Sequence, residues 1–238
     1  MMKKNSKSAE AQSPAIGFLL ELEYMLFPGR QLAFEAYRGI LKKHQIDLDE
    51  TAFARYCLKR NLTLNLKGLL AVLNKKELAT EEIASKIAKQ LNEAVVAPAN
   101  RPVNALYDFL RKADEQNIKI GLLSFLPEED ARQLMSRLEF KNAPGLSVIK
   151  KESDDLPTPD AWLSLLKTIA VNPRSAFAFI NSAYAHRSAL VAGMRCVVIP
   201  DKFTAWQDFS GADLVLENIP NLKINDLLAI LSPASYRK

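Results

Sequence analysis

Ala176–Pro200 reads AFAFINSAYAHRSALVAGMRCVVIP. Its opening, AFAFIN, is an apolar run too short for a helix, and CVVIP at its end is another; both carry the pattern of strands buried on two faces. Between them YAHRSALVAG reads as a helix, and Gly193 stands where a helix C-cap is wanted. Strand, helix and strand in direct succession predict a crossover between parallel neighbours.

The same rhythm extends upstream and downstream. A helix over VNALYDFLRKADEQ (103–116) precedes a strand over IKIGLLS (118–124), a helix over PEEDARQLMSRL (127–138), a strand over LSVIK (146–150) and a helix over PDAWLSLLKTIA (159–170). Pro127 and Pro159 sit where first-turn prolines are tolerated. The apolar stretch ADLVLENI (212–219) comes before a terminal helix over INDLLAIL (224–231). Strands separated by helices predict an α/β fold, a doubly wound parallel sheet covered on both faces, with the ligand site at the carboxyl ends of the strands.

Near the start, AIGFLLELEYML (15–26) opens as one more buried strand before Pro28 and Gly29 break it. From Gln31 to Ala97 the pattern is helical throughout: LAFEAYRGILKKH, DETAFARYCLKR, LKGLLAVL and TEEIASKIAKQLNEAVV, the last with Thr80 as its expected N-cap. Phe34, Tyr37, Phe53 and Tyr56 recur there at helical spacing and are expected to form that block's own core. The organisation expected is therefore a flexible basic tail (1–14), a core domain (15–29 plus 98–238) and an inserted all-helical cap (30–97), hinged near Pro28 and Pro98–Pro102.

The 238 residues carry a formal net charge of +5. That charge is spread over Lys3, Lys4, Lys7 and pairs such as Lys42/Lys43 and Lys75/Lys76, with no aromatic-interleaved basic stripe, so no nucleic-acid partner is expected. No apolar run reaches the ~20 residues that span a bilayer, and Met1–Pro14 lacks the apolar segment of a secretory signal; a cytoplasmic location away from membranes is expected. Cys57 and Cys196, far apart in sequence, suggest neither a disulfide framework nor a zinc cluster.

Three strings resemble the haloacid dehalogenase (HAD)-like hydrolase superfamily, in its β-phosphoglucomutase/phosphoglycolate phosphatase-like branch. LPTPDAW (156–162) resembles KPxPDxY, FINSAYAHRSALVAGM (179–194) resembles FEDSxxGxxAAxAAGM, and TAWQDFSGADLVLENI (204–219) resembles TxxQDFSGADLVLDSL. The likeness covers Ala15–Leu231 and implies a HAD-like, Rossmannoid core with a helical cap. In that superfamily an aspartate after the first strand attacks phosphorus, and a second aspartate two residues on is the general acid and base. Magnesium is held by the first aspartate, the second's backbone carbonyl and a late aspartate.

Aligned on LLELEYML, the resemblance places Glu21 at the nucleophile position and Glu23 at the acid/base position. Each carries its carboxylate one methylene further out, and a displacement of about 1 Å can reduce the rate roughly a hundredfold. Tyr24 replaces the usual small glycine. Ser124 in GLLSF takes the place of the hydroxyl donor to phosphate. The lysine expected before PxPD is Leu156, leaving Lys150 and Lys151 as candidate substitutes. The late acidic pair is Ile180 and Asn181, so any magnesium is expected to be held weakly, by Glu21 and Asn181. Arg30, His186 and Arg187 are further ligand-binding candidates, and Arg55 is a cap-side one; His44 is expected to be structural.

These altered positions lead to the expectation of a HAD-like hydrolase-fold protein that is inactive or strongly impaired, needs no cofactor, and binds a small anion or a protein partner. The alternative is a magnesium-dependent phosphatase acting on a phosphorylated small metabolite. A third reading is a subunit that dimerises through an apolar patch on the cap.

Overall fold

The computed structural model describes residues 15–102, 104–149, 157–217, 219–220 and 222–231. The basic tail 1–14, and with it Lys150, Lys151 and Leu156, lies outside the described residues. Six strands form one parallel sheet: β1 (Gly17–Glu21), β2 (Lys119–Ser124), β3 (Gly145–Val148), β4 (Ala176–Ile180), β5 (Arg195–Val198) and β6 (Leu214–Val215). Their order is β3-β2-β1-β4-β5-β6, with Leu20 of β1 opposite Leu122 of β2 and Phe179 of β4. The chain first runs outward from β1 to β3 and then crosses to β4 on the other side. The carboxyl ends of β1 and β4 therefore mark the point where the winding reverses, which in such sheets is where a ligand crevice opens.

Alternation along the buried strands builds two cores. Phe18 and Leu20 face one layer with Phe177 and Phe179, packed by Leu106, Phe109 and Leu110 of α5 (Asn104–Glu115), Leu134 of α6 (Glu128–Met135) and Leu227 of α9 (Ile224–Leu231). Phe18 stacks on Phe109 at 5.8 Å between ring centroids and meets Phe179 edge-on at 5.2 Å. Leu19, Ala178 and Ile180 face the opposite layer, formed by Trp162 and Leu165 of α7 (Pro159–Thr168) and Ala185 and Ala189 of α8 (Ala183–Val191). Trp162 is buried there with its indole N–H donated to Ser188 Oγ at 2.9 Å, so no polar group is stranded. As expected, α8 closes on Gly193, whose φ of +80° is the left-handed conformation that ends a helix without strain.

The segment between β1 and α5 is helical: α1 (Gly29–Lys42), α2 (Glu50–Tyr56), α3 (Leu62–Val72) and α4 (Thr80–Val96). They share a core of Phe34, Tyr37, Phe53, Leu66, Leu69, Ile83 and Ile87. Phe203, which follows β5, inserts into this core, 4.9 Å from Phe53 and 5.5 Å from Phe34 between centroids. Two local expectations are corrected. Thr80 is the first helical residue of α4 rather than its cap, and its hydroxyl donates to Leu78 O at 3.3 Å instead of accepting from the helix. The helix read over Asp49–Arg60 stops at Tyr56, because Asn61 must be extended to cap α3, accepting from Leu64 N–H at 3.1 Å. Asn65 then fixes the intervening loop by donating to Lys59 O at 2.8 Å.

Both cysteines are buried and free. Among the described residues no helix is long and apolar enough to cross a membrane.

Candidate functional site

Strand β1 ends at Glu21, and the chain turns at once through a single π-helical turn, Leu22–Leu26. This turn folds Glu23 back beside β2, so that both acids stay at the carboxyl end of the sheet. Each is only 3% exposed. Burial pushes the Glu21 carboxyl up to about 7, against the opposing pull of Arg30 and Arg60 and with a smaller push from Glu23.

Glu23 has a defined seat. Its Oε1 accepts hydrogen bonds from the Ser124 hydroxyl, from the Phe125 backbone N–H at 2.9 Å and from the Leu126 backbone N–H at 3.1 Å. Leu126 N–H also reaches Ser124 Oγ at 3.2 Å. These three donors lie where β2 gives way to α6, and they converge as donors do around one oxygen of an oxyanion. Asn181, just past β4, donates its amide to Tyr24 O at 2.8 Å. That bond orients its own carbonyl oxygen, and Glu21 Oε2, Glu23 Oε2 and Asn181 Oδ1 are all buried without a hydrogen-bond partner. Orphaned buried atoms are uncommon and call for an explanation; Asn65 Oδ1 in α3 and His186 Nε2 in α8 are the others found among the described residues.

Above the acids lies a cleft of about 530 Å³ between the helical block and the sheet. Glu23, Tyr24, Arg30, Arg60, Cys57 and Phe125 are part of its wall. Arg60 donates to the Tyr24 hydroxyl, with its guanidinium 3.7 Å from the Phe125 ring centroid and 5.2 Å from that of Tyr24. Arg30 is 8% exposed; it approaches the other side of the cluster, 5.0 Å from the Tyr24 centroid, and pairs with Asp201 at 2.5 Å. A second cavity of about 270 Å³, lined in part by Arg30, Asn181 and Asp201, continues past Tyr24.

Of the residues picked out from sequence, the structure brings Glu21, Glu23, Ser124, Asn181 and Arg30 to this end of the sheet. His186 and Arg187 do not line either cavity. His186 is 1% exposed, packs edge-on to Phe209 and is held below its ordinary pKa chiefly by burial, while Arg187 is exposed. The reason is the pitch of α8, which turns position 186 into the core against β5. Arg55 is exposed on α2 and also lines neither cavity. Arg60 and Asp201 were not singled out by sequence. The capping residue Asn61 was the available signal for Arg60, since a helix start there forces the preceding residues into a loop.

Among the described residues no group of three or more His, Cys, Asp or Glu is placed to hold a metal ion. Glu21 Oε2 and Asn181 Oδ1, at the ends of the paired strands β1 and β4, are nevertheless buried oxygens without a hydrogen-bond partner, the type of donor that a hard divalent cation takes.

This fold is that of the haloacid dehalogenase-like hydrolases. A HAD hydrolase of family IA, variant 3, from Entamoeba histolytica superposes with a TM-score of 0.72 at 13% identity, covering 91% of this chain and 99% of that one. A mutant of CbbY from Rhodobacter sphaeroides, in complex with xylulose-(1,5)bisphosphate, superposes with a TM-score of 0.69 at 17% identity over 87% of this chain and 96% of that one. In sequence, YhcW of Bacillus subtilis, provisionally named a phosphatase, is 28% identical over 157 residues, 64% of this chain and 69% of the relative. No family model matches the chain.

Proposed function

We propose that the protein is a phosphohydrolase of the HAD type acting on a phosphorylated small metabolite in the cleft between the helical block, serving as a cap, and the sheet. The observation that carries this reading is the arrangement at the end of β1. Two buried carboxylates lie beside three convergent donors, beneath a cleft that holds the guanidinium of Arg60. Phosphoryl transfer asks for little more than positioning and neutralisation of spreading negative charge. The resemblance to CbbY and YhcW supports the same class of ligand.

In this reading Glu21, once deprotonated, is the nucleophile at phosphorus and Glu23 carries the proton for the departing and attacking oxygens. Ser124, with the Phe125 and Leu126 amides, takes a phosphate oxygen. Glu21 and Asn181 would hold magnesium, which supplies neutralisation of phosphate charge when bound. Lys150 and Lys151 are retained as candidate substitutes for the lysine replaced by Leu156.

A second reading, a binder of small anions with little or no turnover, is favoured by one observation: in this structure Glu23 itself occupies the donors that a phosphate would use. Magnesium-dependent phosphate release across a panel of phosphorylated metabolites, with Glu21→Ala in parallel, separates the two. Release abolished by the substitution supports the hydrolase; release no greater than that of the variant leaves the binder.

A further inference from the structure

The carboxylate of Glu23 is held as a ligand would be held. Its Oε1 takes the Ser124 hydroxyl and two consecutive backbone N–H groups, and all three donors point to that one oxygen. The Glu23 and Ser124 side chains are buried, so these bonds form away from bulk water, where hydrogen bonds to a charged acceptor are strong. The added methylene of glutamate and the π-helical turn together supply the reach: the turn swings Glu23 across from the end of β1 to the end of β2. Its second oxygen, Oε2, is buried and makes no bond, so the seat holds a single oxygen of a group that forms part of the cleft wall.

We propose that Glu23 is a built-in competitor for this oxyanion seat: its carboxylate stands in for one oxygen of a phosphate, and an incoming phosphate must displace it. The proposal rests on the reading of Ser124, Phe125 and Leu126 as a phosphate cradle, and extends it by giving the resting site a self-closed state. Ligand affinity is then lower than the donors alone would give, because part of the binding free energy goes to expelling Glu23. Phosphate entry also brings a dianion close to the displaced carboxylate, which adds repulsion.

Titration of inorganic phosphate against the full chain, followed by calorimetry, tests this directly. Glu23→Ala is expected to bind phosphate tighter than the unaltered protein by about tenfold or more, since it removes a competitor held by charge-assisted bonds. Adding Ser124→Ala to that variant is expected to return most of the gain, which places the bound phosphate in the seat. Glu23→Gln keeps the shape and the accepting oxygen without the charge, and is expected to gain affinity by a smaller factor, about threefold or more. If Glu23→Ala fails to fold, as judged by circular dichroism, Glu23→Gln decides. Equal or weaker phosphate binding by the folded variants overturns the proposal, as does a gain that survives Ser124→Ala. Tighter binding by the variants, with no turnover of any phosphorylated metabolite by the unaltered protein, would sink the hydrolase reading and leave the competitor intact; turnover by the unaltered protein with no gain on substitution would do the reverse.

Discussion

Arg30 at the start of α1 and Asp201 after β5 form an ion pair of 2.5 Å that ties the helical block to the sheet's far loop. Asp201 does two things at once. Its Oδ2 meets Arg30, while its Oδ1 accepts from Phe203 N–H at 2.8 Å and so shapes the loop that inserts Phe203 between Phe34 and Phe53. Asp201→Asn keeps the second role and removes the charge, leaving Arg30, with a side chain only 9% exposed, without its ion-pair partner. Breaking a fully buried pair typically costs about 3–5 kcal/mol. With the Asp201 side chain 31% exposed, screening reduces this, and a loss of about 1–3 kcal/mol is expected. Urea denaturation reads it as a lower midpoint at unchanged slope; an unchanged midpoint would show that the pair does not stabilise the fold.

Glu21 gives the protein a signed pH dependence. Its carboxyl is raised by burial from 4.5 to about 7 in the fold. Below the unfolded value both states are protonated and folding bears no ionisation penalty. As pH rises from the unfolded value to the folded one, the unfolded chain ionises while the buried group keeps its proton, so stability is lost, by about 3 kcal/mol in full once the folded value is passed. Glu21→Gln removes this dependence. The variant is expected to gain on the unaltered protein by about 3 kcal/mol between pH 4.5 and pH 8, measured as the change in their difference in unfolding free energy. A difference that stays flat across that range would show that Glu21 titrates as an ordinary carboxylate.

What the sequence made legible follows from how each feature is encoded. The alternating strands and helices of the second half are written in hydrophobic period, which each segment carries locally, and Gly193 and Pro159 punctuate it with φ requirements that hold in any fold. The acids at 21 and 23 were placed through resemblance, and the structure brings both to the carboxyl end of β1. The seat of Glu23 was not legible, because it depends on a π-helical turn and on backbone N–H groups at Phe125 and Leu126, which have no side-chain signature. Arg60 and Asp201 were hidden for a related reason: each acts across a long sequence separation, Arg60 on Tyr24 and Phe125, Asp201 on Arg30. His186 is the opposite case, since its place beside a motif makes it a ligand-binding candidate while the pitch of α8 turns it inward.

Asn181→Asp tests the magnesium fit. The substitution removes the amide that donates to Tyr24 O and places a third carboxylate next to the end of β1, beside those of Glu21 and Glu23. Without metal, the unpaired carbonyl and the new acid are expected to lower stability by about 1–3 kcal/mol. Millimolar magnesium is expected to restore it, and calorimetry should show tighter magnesium binding than in the unaltered protein. If magnesium rescues nothing, the orphaned oxygens of Glu21 and Asn181 do not share an ion.

Arg60 should govern the proton on Glu21 from the opposite side of the cleft. It is one of two cations that pull the raised Glu21 carboxyl back down, the other being Arg30, which Asp201 already engages. Arg60 is held in place by Tyr24 and Phe125, so Arg60→Ala removes both the positive charge and a guanidinium–aromatic contact worth about 0.5–2 kcal/mol. With that charge gone the balance at Glu21 shifts toward burial, and its titration midpoint is expected to move above 7. Carbon-13 labelling of the glutamate carboxyls follows this midpoint directly, with Glu21→Gln identifying the resonance. Because a higher midpoint leaves less carboxylate at neutral pH, the same substitution is expected to shift any Glu21-dependent phosphate release to higher pH rather than merely reduce it. A midpoint that does not move would place Arg60 outside the field of Glu21 and reduce its role to packing on Tyr24.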